Sequence, residues 1–287
     1  MAEPIDTSEL YPTRDLLQKE NSADDRLISE PFGSYAPTRM QRFLIALARK
    51  SFLHRGKFRH MMSDRIYAIR RPVDIHQFGC NFRVGAFQNL IEYGVMLHPT
   101  YNGPERAFLA EPLGEGKVAV DIGSNIGLYS LPLARTGARV ISIDANLAMV
   151  EQLKFNMRAS GMDDSSAVHA AVGDVDGRVN LQIRENDVAI VSVVEDASGD
   201  VEIKRLETIL KAQGVTRVDV LKIDIEGFED KALAPFLENA SEDMIPDRIV
   251  IERAGAEDYP ACVKQFNRLG YKVVGRTRSN SLYQRIG

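Results

Sequence analysis

Cysteine is scarce in this sequence. Cys80 and Cys262 are the only two among 287 residues, and their spacing is not that of metal ligands. A disulfide scaffold and a zinc ribbon are thereby disfavoured, and a reducing compartment fits. No apolar run reaches the roughly 18 residues of a membrane-spanning helix. The opening stretch, MAEPIDTSEL, lacks the basic-then-apolar order of a secretory signal, so the cytoplasm is the expected compartment. Histidine is sparse as well. His54, His60, His76, His98 and His169 have no Ser or Cys beside them in a nucleophile elbow, which disfavours triad hydrolysis. A formal net charge of -4 does not suggest a nucleic-acid partner overall. The remaining composition is that of an ordinary globular chain, long enough for one large domain or two small ones.

The charge is unevenly spread. Residues 1–38 carry a net of -5, and residues 39–83 carry +9, with eleven basic and two acidic side chains. Residues 1–37 are rich in Pro, Ser and acids and read as a loose arm. Residues 38–83 read as a basic, partly helical extension. Thr38 and Gln41 have capping-box spacing, so a helix is expected to start there, with Met40, Phe43, Leu44 and Leu47 on one face. Such a helix packs on the main domain with its charges solvated. The alternative is peripheral contact with an anionic membrane through residues 38–60.

From residue 84 to 287 strands and helices alternate, which predicts a mostly parallel sheet covered on both faces. KVAVDIG and ARVISID read as strands, and LYSLPLARTG and NLAMVEQLKFNMRASG as the helices after them. AVHAAVG is a third strand, and RVNLQI, VAIVSVV and VEIKRL are extra ones. VDVLKIDIEG and RIVIE are further strands, and YKVVG and SLYQR are the last. Three more helices are expected in LETILKAQG, EDKALAPFLENA and PACVKQFNRLG. Pro235 should kink or split the second of these.

The stretch VAVDIGSNIGLYS, residues 118–130, joins a strand to a helix through a glycine turn. A dinucleotide site would use G-x-G-x-x-G to seat a pyrophosphate on the helix N-terminus. Only Gly123 and Gly127 are present here, with Ser124 and Asn125 between them, and Asp121 ends the strand. A carboxylate in that place suits a cationic ligand. S-adenosylmethionine, with an ammonium and a sulfonium, has the right sign. Asp144 ends the next strand, where an acid can accept hydrogen bonds from both ribose hydroxyls of an adenosine, in that cofactor or in NAD.

In VDVLKIDIEGF, Lys222, Asp224 and Glu226 alternate with apolar residues and would share one face of a regular strand. Buried charges are costly unless paired or functional. Asp224, with Glu226 beside it, could take the proton of a substrate hydroxyl. Lys222 could do so if burial depressed its pKa, or could form a structural ion pair with Asp224 or Asp121. An oxygen-rich metal site from Asp224, Glu226 and Glu252 is the remaining option. It has no further ligand cluster behind it, and no metal ligand is assigned.

The stretches VAVDIGSNIGLYSLPLA, VISIDAN, HAAVGDVDGRVNL, RLETIL and VDVLKIDIEGFEDKAL, with RIVIE beyond them, resemble the FkbM-type S-adenosylmethionine-dependent methyltransferases. The resemblance implies a class I methyltransferase fold, Rossmann-like, with a seven-stranded sheet and one antiparallel strand near its edge. It implies O-methylation of a hydroxyl on a sugar, glycolipid or polyketide. It carries cofactor roles onto Asp121, Gly123, Asn125, Gly127 and Asp144, with Ser124 and Ala145 inside the same motifs. Where the family often has aromatic-Glu-Pro, this chain has Ile143-Asp144-Ala145. Glu105, near HPTYNGPERAF, is a further candidate for cofactor contact. The competing readings are an NAD-dependent oxidoreductase, a catalytically silent binding module and an RNA methyltransferase, the last resting on the +9 segment alone.

Overall fold

The computed structural model describes residues 29–85, 89–162, 166–184, 187–195, 199–253 and 259–286. Most of the predicted acidic arm lies outside the described residues. Its last part is tied down. Asp74 Oδ2 accepts from the amides of Gly33 at 2.7 Å and Tyr35 at 3.1 Å, and Arg83 donates to the carbonyls of Glu30 and Pro31 at 2.8 and 2.9 Å. Arg83 and Asp74 are themselves buried and joined at 2.7 Å, so the chain entering the first helix is anchored on an internal ion pair.

That helix, α1 (Arg39–Arg49), starts with the expected capping box. Thr38 Oγ1 accepts from the Gln41 amide at 3.2 Å, and Gln41 Oε1 accepts from the Thr38 amide at 3.0 Å. Its orientation is not the expected one. Met40, Phe43 and Leu47 face out, and Gln41, Ile45 and Ala48 are buried. The reason lies in Gln41, whose amide nitrogen donates to the carbonyls of Ile66 and Arg70 at 2.9 and 2.8 Å and so pins that side of α1 inward. Those carbonyls belong to the end of α2 (Gly56–Ile69), reached through a 3₁₀ turn at Phe52–His54.

A hairpin of β1 (Val73–Gln77) and β2 (Cys80–Val84) follows, then α3 (Leu90–Leu97) and α4 (Gly103–Ala110). The sequence pattern had not separated these elements. Beyond them run β3 (Val118–Ile122), α5 (Ser130–Ala134), β4 (Arg139–Asp144), α6 (Leu147–Ala159) and β5 (Ser166–His169). The predicted third strand breaks at Ala170, whose amide donates to the Asp144 carbonyl at 3.0 Å. Its second half, β6 (Ala171–Gly173), enters a separate four-stranded sheet with β7 (Gly177–Arg184), β8 (Asp187–Glu195) and β9 (Val201–Arg205). The chain then completes the main sheet through α7 (Leu206–Ala212), β10 (Val220–Ile223), α8 (Glu229–Asn239), β11 (Arg248–Glu252), α9 (Pro260–Arg268), β12 (Tyr271–Arg276) and β13 (Asn280–Arg285). Helix α8 runs through Pro235 unbroken. The missing N–H frees a single carbonyl, while Ala232, Leu233, Phe236 and Leu237 hold both halves in the core.

The main sheet has the order β12-β13-β11-β10-β3-β4-β5, parallel except for β13, which runs antiparallel to both neighbours. Alternate residues feed two cores. Ala119, Val140, Val220 and Val250 face α3 and α6, and Val120, Ile141, Leu221 and Ile249 face α8 and α9. Strand order reverses between β3 and β10, and a ligand crevice is expected beyond the carboxyl ends of the strands at such a point. No helix among the described residues is long and apolar enough to cross a membrane.

Candidate active site

A cavity of 580 Å³ opens at that place, lined from the ends of β3, β4, β10 and β11 and roofed by residues of α2, α3 and α4. Its floor is the loop after β3. The amides of Gly123 and Ser124 both donate to the Ile143 carbonyl, at 2.8 and 3.1 Å, and the Asn125 amide donates to Asp144 Oδ2 at 2.8 Å. The loop is therefore latched to the end of β4. Gly123 has φ +73°, and a Cβ there would lie 1.8 Å from the Asp224 carbonyl oxygen. Glycine is required because two strand ends meet, a different reason from the ligand approach that the motif suggests. Gly127, at φ +98°, packs against Leu131 and Leu153 and does not line the cavity.

Asp144, Ala145, Ser124, Asn125, Glu105, Asp224, Glu226 and Lys222 all line the cavity. Burial pushes the Asp144 carboxyl up, and the amides of Asn146 and Asn125 work against that shift. Ser124 Oγ is buried with no hydrogen-bond partner among the described residues. Glu105 is nearly fully buried and accepts from Thr277 Oγ1 at 2.5 Å and Asn280 Nδ2 at 3.2 Å, which leaves its carboxylate at the cavity wall.

Asp121 is placed differently. It is fully buried and absent from the cavity surface. Register aligns it with Ser142 on one side and Lys222 on the other. Oδ2 accepts from Ser130 Oγ at 2.5 Å, and Oδ1 lies 3.5 Å from Lys222 Nζ. Lys222 Nζ also donates to the carbonyls of Gly123 at 2.7 Å and Ile122 at 3.2 Å. Burial alone would lower the pKa of this lysine. The carboxylates of Asp121, Asp224 and Asp144 outweigh that and raise it. The premise that burial would make Lys222 a base is thus corrected: it is a charged post beneath the loop.

Strand β10 stops at Ile223, so Lys222, Asp224 and Glu226 do not share a strand face as expected. Asp224 sits on the bend after the strand with its side chain 33% exposed, 3.9 Å from Lys222 Nζ. Glu226 has φ +54° in the turn that follows and is exposed at the rim. Glu229 holds the turn from below, accepting from the amides of Ile225 at 2.7 Å and Gly227 at 2.9 Å. Glu252, at the end of β11, hydrogen-bonds Asp224. Burial and the charges of Asp224 and Glu226 push its pKa up to about 9, which favours its protonated form. Asp224, Glu229 and Glu252 bring one oxygen each within 4.8 Å of one another. The metal set considered from the sequence had Glu226 in place of Glu229, and Glu229 is already committed to two amides.

Tyr129 was missed by sequence reasoning, though it lies inside the glycine-loop motif. Its ring packs 5.3 Å from Lys222 Nζ, and its hydroxyl accepts from Asn102 Nδ2 at 3.0 Å. Burial, with Glu105 and Asp224 nearby, raises its pKa well above the usual value. An aromatic after a glycine turn is too common a pattern to have marked it.

Sheet order and crevice together define a class I methyltransferase fold. Residues 121–273 match the model of the methyltransferase FkbM domain, and the chain belongs to that family. Among curated proteins, the chain is 35% identical over 97 residues to the 23S rRNA (uracil(1939)-C(5))-methyltransferase RlmD of Shewanella halifaxensis. That match covers 34% of this chain and 21% of the relative, so the chain spans about a fifth of that protein's length. Among solved structures, the T. thermophilus 16S rRNA methyltransferase RsmC, in complex with AdoMet and guanosine, is 16% identical at a TM-score of 0.45, over 76% of this chain and 50% of that one. The Pyrococcus abyssi tRNA (uracil-54, C5)-methyltransferase, in complex with S-adenosyl-L-homocysteine, is 13% identical at a TM-score of 0.45, over 75% and 44%.

Proposed function

We propose that the chain is an S-adenosylmethionine-dependent O-methyltransferase acting in the cytoplasm on a hydroxyl of a sugar, glycolipid or related small molecule. The observation that carries this reading is Asp224, which lines the cavity with its side chain one-third exposed and is hydrogen-bonded to Glu252.

The residues present suit the cofactor. Glu105, Asp144, Asp224 and Glu226 line the cavity together with Arg59 and Arg278, and the charge of Lys222 is taken up by Asp121. The excess of carboxylates over cations favours an ammonium and a sulfonium over a pyrophosphate, and so favours this cofactor over NAD. Among the described residues, each Asp144 oxygen accepts one backbone N–H, from Asn125 or Asn146, so each keeps a lone pair for a ribose hydroxyl. Ser124 Oγ offers a buried polar contact that has no partner among the described residues. Ile143, Ala145 and Val172 supply an apolar wall for a flat base. When bound, S-adenosylmethionine supplies an electrophilic methyl group on sulfur.

Asp224 would orient the acceptor hydroxyl and accept its proton as the oxygen becomes the nucleophile. Glu252, whose raised pKa favours its protonated form, would donate to the Asp224 carboxylate and keep it turned toward the cavity. Lys222, fixed on the Ile122 and Gly123 carbonyls, holds Asp224 and the glycine loop at constant separation. Transfer to a ring carbon, as named for the RlmD relative, calls for a nucleophile that first adds to the ring. Both cysteines are buried outside the cavity lining, and burial pushes the Cys80 thiol up to about 12.

The test is transfer of labelled methyl from S-adenosylmethionine into a fractionated extract of the source cell. Label in the glycan or glycolipid fraction supports the reading. Label confined to RNA keeps the cofactor and overturns the acceptor.

A further inference from the structure

The outward face of α1 and α2 is unusual for a protein surface. Met40, Phe43 and Leu47 follow one another at helical spacing on α1 and are 57%, 61% and 42% exposed. Phe52, in the 3₁₀ turn, is 63% exposed and meets Phe58 of α2 edge to face at 5.2 Å, with Lys57 Nζ over the Phe58 ring. Solitary exposed apolar residues need no explanation, but a run of them along one segment does. Among the described residues nothing covers this face, since Gln41 turns the other side of α1 inward.

The same segment is the most basic part of the chain. Between residues 39 and 70 it holds nine Lys and Arg and one acid, Asp64. Arg39, Arg42 and Lys50 are exposed beside the apolar stripe. Apolar side chains in the middle of a helix face, flanked by cations, are the arrangement that enters an anionic bilayer interface. A second copy of the chain would bring two such positive faces together. A nucleic-acid backbone would satisfy the cations and leave Met40, Phe43 and Leu47 in water.

We infer that the outer face of α1 and α2 docks the protein on an anionic membrane surface, with Phe43 and Leu47 entering the interface and Arg39, Arg42 and Lys50 meeting lipid headgroups. This inference stands independently of the acceptor assigned above.

The experiment is co-sedimentation of the full chain with two kinds of vesicle, phosphatidylcholine alone and phosphatidylcholine with phosphatidylglycerol at two to one. Binding to the mixed vesicles should be at least about tenfold tighter, and added salt should weaken it. The double variant Phe43→Ser/Leu47→Ser should lose about tenfold or more of that binding, with its urea midpoint and its affinity for S-adenosylhomocysteine unchanged. Three results would overturn the inference: no preference for the mixed vesicles, binding that persists in the double variant, or vesicle-free oligomers that the double variant dissolves. An RNA oligonucleotide that binds more tightly than the vesicles, with the double variant losing RNA affinity instead, would reassign the face to nucleic acid. Retained S-adenosylhomocysteine affinity alongside failed vesicle binding separates the failure of this inference from a failure of the proposed function.

Discussion

Lys222 on β10 lies 3.5 Å from Asp121 on β3, directly across the register, and both side chains are buried. The pair sits beneath the glycine loop, where the lysine also holds the Gly123 carbonyl at 2.7 Å. Removing the lysine strands a buried carboxylate. Lys222→Met should cost about 3–5 kcal/mol of stability by urea denaturation. The double variant Lys222→Met/Asp121→Leu, which removes both charges, should recover much of that. An equally unstable double variant would show that the pair does not act as a unit.

Gly123 makes a second, local prediction. Its φ of +73° and the Asp224 carbonyl 1.8 Å from any added Cβ combine strain with a backbone clash. Gly123→Ala should destabilise by more than the about 1–2 kcal/mol of left-handed backbone strain alone, and should weaken S-adenosylhomocysteine binding by displacing Asp224. Gly161→Ala is the control, with φ +71° and open space around the added carbon. It should show the strain alone and leave ligand affinity intact.

The raised pKa of Glu252 predicts a pH dependence of definite sign. Its folded pKa of about 9 is raised from 4.5, so the folded state holds this proton more tightly than the unfolded chain. Its contribution to stability is full below the unfolded value. It is drawn down as pH rises from there to about 9, and is flat above. Urea midpoints measured from pH 5 to 9 should therefore fall more steeply for the natural protein than for Glu252→Gln, which keeps a donor toward Asp224 and cannot ionise. Parallel curves would show that Glu252 is not the proton holder.

Asp224 separates chemistry from binding. Asp224→Asn keeps size and shape and removes the proposed base. Turnover should fall by about 10²–10⁴-fold, while S-adenosylhomocysteine affinity changes by no more than a few-fold. Normal turnover in a label-transfer assay would remove Asp224 from the mechanism.

Much of this architecture is legible in the order of the residues, for identifiable reasons. Thr38 and Gln41 specify a helix start because capping is a local hydrogen-bond exchange three residues apart. Asp144 and the glycine loop are readable because a strand end and a tight turn are also local. What escaped depends on distant partners. The face of α1 was misread because Gln41 is drawn inward by carbonyls of α2, more than twenty residues away. Lys222 became a charged post because the sheet order sets β3 beside β10, which no single strand discloses. Glu252 meets Asp224 for the same reason, from the adjacent strand. Asp121, read as a cofactor contact, is buried beside Lys222 by the same pairing and lies outside the cavity lining.

The most direct measurement is calorimetric titration of the natural protein and of Asp144→Ala with S-adenosylhomocysteine, with NADH titrated in parallel. The expected result is saturable one-to-one binding of S-adenosylhomocysteine, at least about tenfold weaker in Asp144→Ala because hydrogen bonds to this carboxyl are lost from the ribose and from the Asn125 amide of the loop, and no binding of NADH. Saturable NADH binding without S-adenosylhomocysteine binding would contradict the assignment of the cavity at its root.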